Sequence, residues 1–436
     1  MTAITREWSD GHTQADLPED QNVFVPRSEP KPVKVMYIIS DLSIGGAEMT
    51  LYKLLAQTDR RRFSPVVVSL IDQGALCERI ELLGIAVHTT RMRAGRPSPA
   101  GLWRLAKLIR QLDPDLIFGW MYHSCLAAQL AKIVSGRRIP ILWSIHYSIS
   151  SLNTDKKLTA AVIWLCGRLS RLPAGIVFVS RAGQAQHKPL GFCVKNSCVI
   201  PNGIDVKEFR PSAQARLSVR TELKLPVGAL LIGVIGRYHR AKDHANFLKA
   251  AALTAETNPA VHFVLIGRGI DRENQPLAGA ISQLGLGSRT HLLGEREDTA
   301  RLAAALDILS LSSAYGESCP VVIGEAMACG VPCVVTDVGD SAWLVGEAGR
   351  VVPPRDAGAL GMAWKELIDL DPERRNALGL LGRARVIEQF PIQSVMARYE
   401  DLYETVLANE APERYESLTS SRIDALSPTF EETGAQ

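Results

Sequence analysis

Residues 229–252 read ALLIGVIGRYHRAKDHANFLKAAA. The apolar run ending at Ile235 is short and closes on a glycine, as a buried strand does. Gly236 marks a tight turn, the polar segment RYHRAKDH follows, and a helix comes next. The chain opens its first apolar segment in the same way. VKVMYIIS (33–40) reads as a strand, DLSIGGAE as a glycine loop, and a helix starts near Ala47. Two such starts in one chain of 436 residues point to two cores, since that length exceeds a typical single one.

Alternation continues after each start. In the first half the strands are PVVVSLI (65–71), GIAVHTT (84–90), DLIFGW (115–120), PILWSIH (140–146), GIVFVS (175–180) and CVIPNGID (198–205), with helices at 101–112 and near 122–135. In the second half VHFVLIGRG (261–269), THLLGE (290–295), DILSLSS (307–313), VPCVVTD (331–337) and GRVVPP (349–354) play the same part. Strands parted by helices of this length pair in parallel through right-handed crossovers. The fold class is therefore α/β, with two doubly wound units facing a central cleft.

The boundaries follow from composition. Residues 1–32 are polar and read as a disordered extension. The first unit spans 33–205, a linker 206–227, and the second unit 228–391. A helix at 392–407 comes after the second sheet is complete, and 408–436 read as a loose tail.

Hydrophobic residues make up 46% and charged residues 22%, ordinary values for a soluble globular chain. None of the eight cysteines forms a CxxC pair, which argues against a zinc cage and for reduced thiols in a cytoplasmic protein. The N-terminus lacks the apolar core of a signal peptide. The most membrane-like stretch, 158–179, is interrupted by Arg168, Arg171 and Pro173, so no membrane span is expected. Charge is uneven: residues 33–205 hold 22 Lys and Arg against 10 Asp and Glu, and the remainder 27 against 36. A basic first unit suits an anionic partner or membrane face; a plain solvated surface is the alternative.

Open α/β sheets bind ligands at the carboxyl ends of their strands, where helix N-termini attract phosphate. Several chemistry-bearing residues fall there. Arg237 and Lys242 occupy the turn after Gly236 and could hold a diphosphate, though GK[ST] of a phosphate loop is missing. Glu317 follows the DILSLSS strand, and Pro320 fits the first turn of the helix VVIGEAMAC. Glu325 lies in that helix's second turn, so the two carboxylates reach different parts of one ligand. Their alternative reading is a pair of helix-start acids favoured by the dipole. His146 ends a strand at the same edge, and His123 has a similar position. Each could equally be structural.

With these residues in hand, the chain resembles the retaining nucleotide-sugar glycosyltransferases of family 4, also called group 1. The resemblance covers about residues 33–407 and is most specific between 291 and 357. IPNGIDVKEFRP (200–211), GRYHRAKDHANFLKAA, VLIGRGID and GESCPVVIGEAMACGVP carry it, with GGAE and VSRAGQ in support. It implies the GT-B fold, two Rossmann-like domains, with helix 392–407 crossing back onto the first. It assigns Glu317 to donor-sugar hydroxyls and Glu325 to the ribose. It also puts Arg237 and Lys242 on the donor diphosphate, His146 in the active site, and Gly45 and Gly46 beside donor phosphate or acceptor. The backbone around Arg268 and Gly294, Glu295 and Arg296 would line the nucleobase pocket, and Ser318, Cys319, Pro320 and Val321 the donor-sugar pocket.

The implied reaction moves a hexose-type sugar from a UDP- or GDP-sugar to a glycan or polyprenyl-linked acceptor, in polysaccharide or cell-envelope synthesis. The implied enzyme takes no cofactor, no metal and no nucleic acid: many transferases hold a metal through a DxD pair, none is expected here, and Arg237 and Lys242 take its place on the leaving diphosphate. Same-face attack is the expected route to retention; a covalent route through Glu317 is the other. Cys319 and Val321 depart from the phenylalanine and asparagine common in relatives, which leaves the hexose open. A nucleotide-sugar 2-epimerase and a catalytically silent nucleotide-sugar-binding subunit are the rival functions. Arg91, Arg93, Arg96, Arg104, Lys107 and Arg110 surround a helix bearing Trp103 and Leu105, which suggests peripheral contact with the inner face of an anionic membrane. A core helix with a solvated face would show the same residues.

Overall fold

The computed structural model describes residues 31–71, 74–93, 98–149 and 157–413. The expected disordered extension and most of the expected tail lie outside these residues. Two parallel sheets form. The first holds seven strands: β1 (Val33–Ile39), β2 (Phe63–Ser69), β3 (Val87–Thr89), β4 (Leu116–Trp120), β5 (Ile141–Ile145), β6 (Gly175–Phe178) and β7 (Ser197–Val199). Their order is β3-β2-β1-β4-β5-β6-β7. The second holds β8 (Leu230–Ile235), β9 (Val261–Ile266), β10 (Thr290–Leu292), β11 (Ile308–Leu311), β12 (Cys333–Thr336) and β13 (Gly349–Val352), ordered β10-β9-β8-β11-β12-β13. In both, the order reverses beside the first strand of the unit, and a crevice for ligands opens there.

These strands are near-continuous apolar runs because helices cover both faces. Every residue of β4, β5 and β6 is buried. Two core layers flank each sheet. One layer of the first sheet contains Tyr37, Phe118 and Trp120, and the other Ile38, Ile117 and Trp143.

The chain crosses between the units twice, side by side. Ile204 N–H donates to Phe390 O at 2.8 Å, and Ile392 N–H donates to Ile204 O at 3.0 Å. Gly203 is required there: a Cβ would lie 2.7 Å from the Ile392 Cα. After this return, helix Ile392–Glu410 packs on the first core through Val395, Met396, Tyr399, Tyr403 and Leu407. Tyr37 and Tyr403 share a hydrogen bond at 2.9 Å, and Arg62 pairs with Glu400 and Glu404 at 3.0 and 2.8 Å.

Some expectations need correction. Most strands are shorter than their apolar runs, because the last residues turn into loops at the cleft. The 206–227 stretch is not a simple connector. Ser212 caps helix Ala213–Glu222 by accepting from Ala215 N–H at 3.1 Å, and Ala215 and Val219 enter the second core. The final helix runs to Glu410, three residues into the expected tail. On the basic helix, Pro99–Leu112, Leu105 is fully buried, so only Trp103 of that apolar pair faces outward. Among the described residues no helix is long and apolar enough to cross a membrane.

Candidate active site

The site forms where the carboxyl ends of both sheets meet. A cavity of about 310 Å³ lies between Gly46, Ala47, His146 and Asn202 on one side and Lys242, Glu317 and Glu325 on the other.

Lys242 comes from the turn after β8. His239 accepts from Ala241 N–H at 3.2 Å, and Asp243 adopts the left-handed region at φ 50° before capping helix His244–Thr257. Ala314 N–H donates to Ala241 O and Ser312 Oγ to Lys242 O, both at 2.8 Å. These bonds fasten the turn to the end of β11. The ammonium therefore lies 2.6 Å from Glu317 Oε1. Ser313 Oγ donates to the same oxygen at 2.5 Å. Glu317 is buried, so its charge needs both partners. Gly339 seats the loop: at φ 61°, its Cβ would fall 2.2 Å from the Glu317 carbonyl oxygen. Arg237, in the same turn, is exposed and holds no ion pair among the described residues.

Pro320 caps helix Val321–Ala328, whose first amides have no intrahelical partner and line the cavity. Glu325, fifth in that helix, pairs with Lys53 of the first unit, Nζ to Oε1, at 2.8 Å. Burial alone would lower the Lys53 ammonium, but Glu325, Glu208 and Asp205 outweigh it and hold its pKa above the usual value.

His146 packs against Trp120 with ring centroids 4.3 Å apart and planes tilted by 36°, and its Nε2 shares a hydrogen bond with Ser144 Oγ at 2.7 Å. Burial pushes its pKa down to about 3, so the ring is neutral at physiological pH. Its Nδ1 is buried without a partner among the described residues. Trp120 Nε1–H donates to Ala47 O at 3.0 Å, which ties His146 to the glycine loop at Gly45 and Gly46.

The middle of the glutamate loop is held from behind. Asn202 Nδ2–H donates to Cys319 O at 2.7 Å, and burial pushes the Cys319 thiol up to about 12. Ser318 and Ser180 share a hydrogen bond at 2.7 Å across the two units. Asp340 accepts from the Arg181 and Ala182 amides at 2.7 and 2.8 Å.

The expected nucleobase residues divide. Arg268 Nη2–H donates to Ile44 O at 3.0 Å, so it reaches the glycine loop of the opposite unit. Gly294 takes a left-handed φ of 66° and Glu295 is exposed. The Arg296 side chain is taken up by Asp298 and Glu222, at 2.8 Å each, leaving only its backbone for a ligand. His123 is not brought to this cavity; it lines a separate apolar one. The expectation of no DxD pair fails: two such triplets exist, at 113–115 and 369–371, and neither lies here. Asp115 accepts from Lys34 N–H at the opposite end of β1, and Asp371 caps helix Pro372–Gln389. Among the described residues no cluster of His, Cys, Asp or Glu could hold a metal.

Lys53, Asn202, Ser180, Ser313 and Asp340 were not assigned from sequence. Only Lys53 carried a usable signal: it lies seven residues after Gly46, on the same helical face.

Two family models match the chain. One, described as Glycosyltransferase Family 4, covers residues 44–208, and the other, Glycosyl transferases group 1, covers 229–369. A putative glycosyltransferase EpsF of Bacillus subtilis is 36% identical over 32% of this chain and 35% of its own length, so this chain spans about a third of that relative. The Campylobacter jejuni N,N'-diacetylbacillosaminyl-diphospho-undecaprenol alpha-1,3-N-acetylgalactosaminyltransferase is 24% identical over 85% of this chain and 99% of its own. The crystal structure of Anabaena Alr3699/HepE with UDP superposes with a TM-score of 0.74 at 24% identity, covering 86% of this chain and 100% of that one.

Proposed function

Because the chain belongs to the family 4, group 1 glycosyltransferases with their GT-B fold, we propose that it transfers a hexose-type sugar, with retention, from a UDP- or GDP-sugar to a glycan or polyprenyl-linked acceptor. The observation that carries this reading is the Lys242–Glu317 contact of 2.6 Å beside the free amides of helix Val321–Ala328.

Transfer breaks the bond between the anomeric carbon and the diphosphate oxygen and forms one to the acceptor oxygen. Positive charge builds on the sugar and negative charge on the departing diphosphate. Lys242, held by Glu317, and the Val321 and Val322 amides are fixed donors for that negative charge, set before the reaction begins, and the exposed Arg237 turns in from the same loop once the diphosphate is bound. Glu317 holds sugar hydroxyls, and Glu325 holds the ribose while Lys53 orients it. The leaving phosphate takes the acceptor proton on the same face, so no enzymatic nucleophile and no metal are required. His146, neutral and wedged on Trp120, is a neutral imidazole wall rather than a cation.

The named relative's diphospho-undecaprenol acceptor supports the polyprenyl choice. A basic first unit with exposed Arg91, Arg93, Lys107 and Trp103 supports peripheral contact with an anionic membrane. The deciding experiment is a screen of UDP-, GDP- and ADP-sugars for binding and slow hydrolysis without acceptor, with and without a chelator. Saturable hydrolysis of one donor, unaffected by chelation, is expected. Binding without turnover, even with acceptor lipids present, would favour a silent subunit, and an epimeric sugar product would favour an epimerase.

A further inference from the structure

A second cavity, of about 520 Å³, opens in the first unit. That is a volume typical of small-molecule sites. Its walls are apolar: Leu70 beyond β2, Leu102 of helix Pro99–Leu112, Leu126 and Leu130 of helix Tyr122–Ser135, and Leu158 and Val162 of helix Lys157–Leu169. Its polar lining is sparse, and includes Arg93, His123 and Ser40. Arg93 is exposed and holds no ion pair among the described residues. Leu130 and Leu158 are 38% and 43% exposed at the rim, and the same helices expose Trp103, Ile133 and Trp164. Of these, Ile133 lies three residues after Leu130 on the same helical face, and it extends the apolar lining outward.

The cavity's position matters as much as its lining. Ser40 follows β1 directly and His123 follows β4, so the cavity opens at the sheet edge that carries Gly45, Gly46 and His146. A chain lying in it would put its head group at that edge, on the acceptor side of the cleft. Apolar walls, an exposed cation and this placement together fit a hydrocarbon chain with an anionic phosphate head.

We propose that this cavity binds the first isoprenoid units of a polyprenyl-diphosphate-linked acceptor, with Arg93 facing the diphosphate. The proposal rests on the glycosyltransferase reading above. Each methylene taken out of water is worth roughly a fourfold gain in affinity, so chain length should be read strongly.

The test uses the full chain and three probes: inorganic diphosphate, geranyl diphosphate and farnesyl diphosphate, followed by calorimetry. Farnesyl diphosphate is expected to bind at least roughly tenfold more tightly than geranyl diphosphate, and inorganic diphosphate least. Ala127→Trp fills the cavity and should abolish the chain-length dependence. Leu130→Gln, at a position 38% exposed, should weaken farnesyl diphosphate roughly fivefold while the melting temperature stays near that of the wild type. Equal binding of all three probes, or no response to either variant, overturns the proposal. Tighter binding of an oleoyl lysophosphatidate than of farnesyl diphosphate would make the chain acyl and also overturn it. Nucleotide-sugar binding is measured on the same samples. If it persists while the chain-length effect is missing, only this inference falls; if no nucleotide sugar binds, the function itself is wrong.

Discussion

Lys242 has two possible jobs, and one cycle of variants separates them. Its ammonium lies 2.6 Å from Glu317, and their side chains are 23% and 10% exposed. It either neutralises a buried carboxylate or waits for the donor diphosphate. Lys242→Met removes both jobs. Breaking a fully buried pair costs about 3–5 kcal/mol; the partial exposure of Lys242 reduces this to about 1–3 kcal/mol of stability. Losing one fixed charge aimed at the leaving group should slow turnover by about 10²–10³. Glu317→Gln removes the carboxylate charge alone and sets the reference rate for a weakened sugar contact. Adding Lys242→Met to it then tells the two jobs apart. A lysine that acts on the diphosphate costs a further factor of about 10² in the double variant, while the stability lost in Lys242→Met is largely regained. The assay is release of nucleoside diphosphate, with thermal unfolding of the same samples. If the double variant is as fast as Glu317→Gln alone, Lys242 only neutralises Glu317 and the leaving-group argument is refuted.

Lys53→Met should raise the donor KM about 5–30-fold with kcat nearly unchanged, since on the proposed function it loosens Glu325, assigned to the ribose, and touches nothing that changes in the transition state; an equal fall in kcat, read from initial rates, would contradict this. Asp307 accepts from Arg216 and Arg220 at 2.6 Å each and from Leu231 N–H at 2.8 Å, so Asp307→Ala should cost about 3 kcal/mol and roughly 6–12 °C of melting temperature by calorimetry. A shift smaller than roughly 2 °C would mean the cluster is solvated and unimportant. His146 has a folded pKa near 3 against an ordinary 6.5, so the unfolded chain binds the proton first. Its contribution to stability is complete above pH 6.5 and drains away as pH falls toward 3. Urea midpoints at several pH values should therefore fall faster for the wild type than for His146→Phe, and parallel curves would rule out that shift.

The fold was readable because both sheets are buried on both faces. Under that constraint each strand is an apolar run, and each run ends where the chain must turn at the cleft. VKVMYIIS and ALLIGVI announce the two first strands, and the crevice beside each follows from parallel topology alone. What stayed hidden was helical structure without a strong apolar stripe. Helix Ala213–Glu222 buries only Ala215 and Val219, so its sequence SAQARLSVRTEL looks like a linker until Ser212 is seen as a cap. The basic helix misled in the opposite sense. Trp103 and Leu105 are two residues apart, about 200° around a helix, so one of them had to face inward.

The candidate site divides along the same line. Residues assigned to the turn after β8 and to the loop after β11 are close together because strand order fixes those loops as neighbours: β8 pairs with β11, and Lys242 meets Glu317 over that junction. Sequence order alone supports this kind of inference within one unit. It gives nothing across the cleft, because no local pattern encodes how two units face each other. Lys53 and Glu325 are 272 residues apart and Ser180 and Ser318 are 138 apart, yet each pair spans the units within hydrogen-bond distance. Both partners come from segments whose local reading was ordinary: a helix after a glycine loop, and the cap of a short helix. These contacts hold the glutamate loop from the first unit's side, with Cys319 fixed at its centre by Asn202. On the proposed function, where this loop lines the donor-sugar pocket, the shape of that pocket is thus set partly by residues of the first unit. On that reading, substitutions at Asn202 or Ser180 should alter donor preference together with those at Cys319 and Val321, because they release the loop from behind.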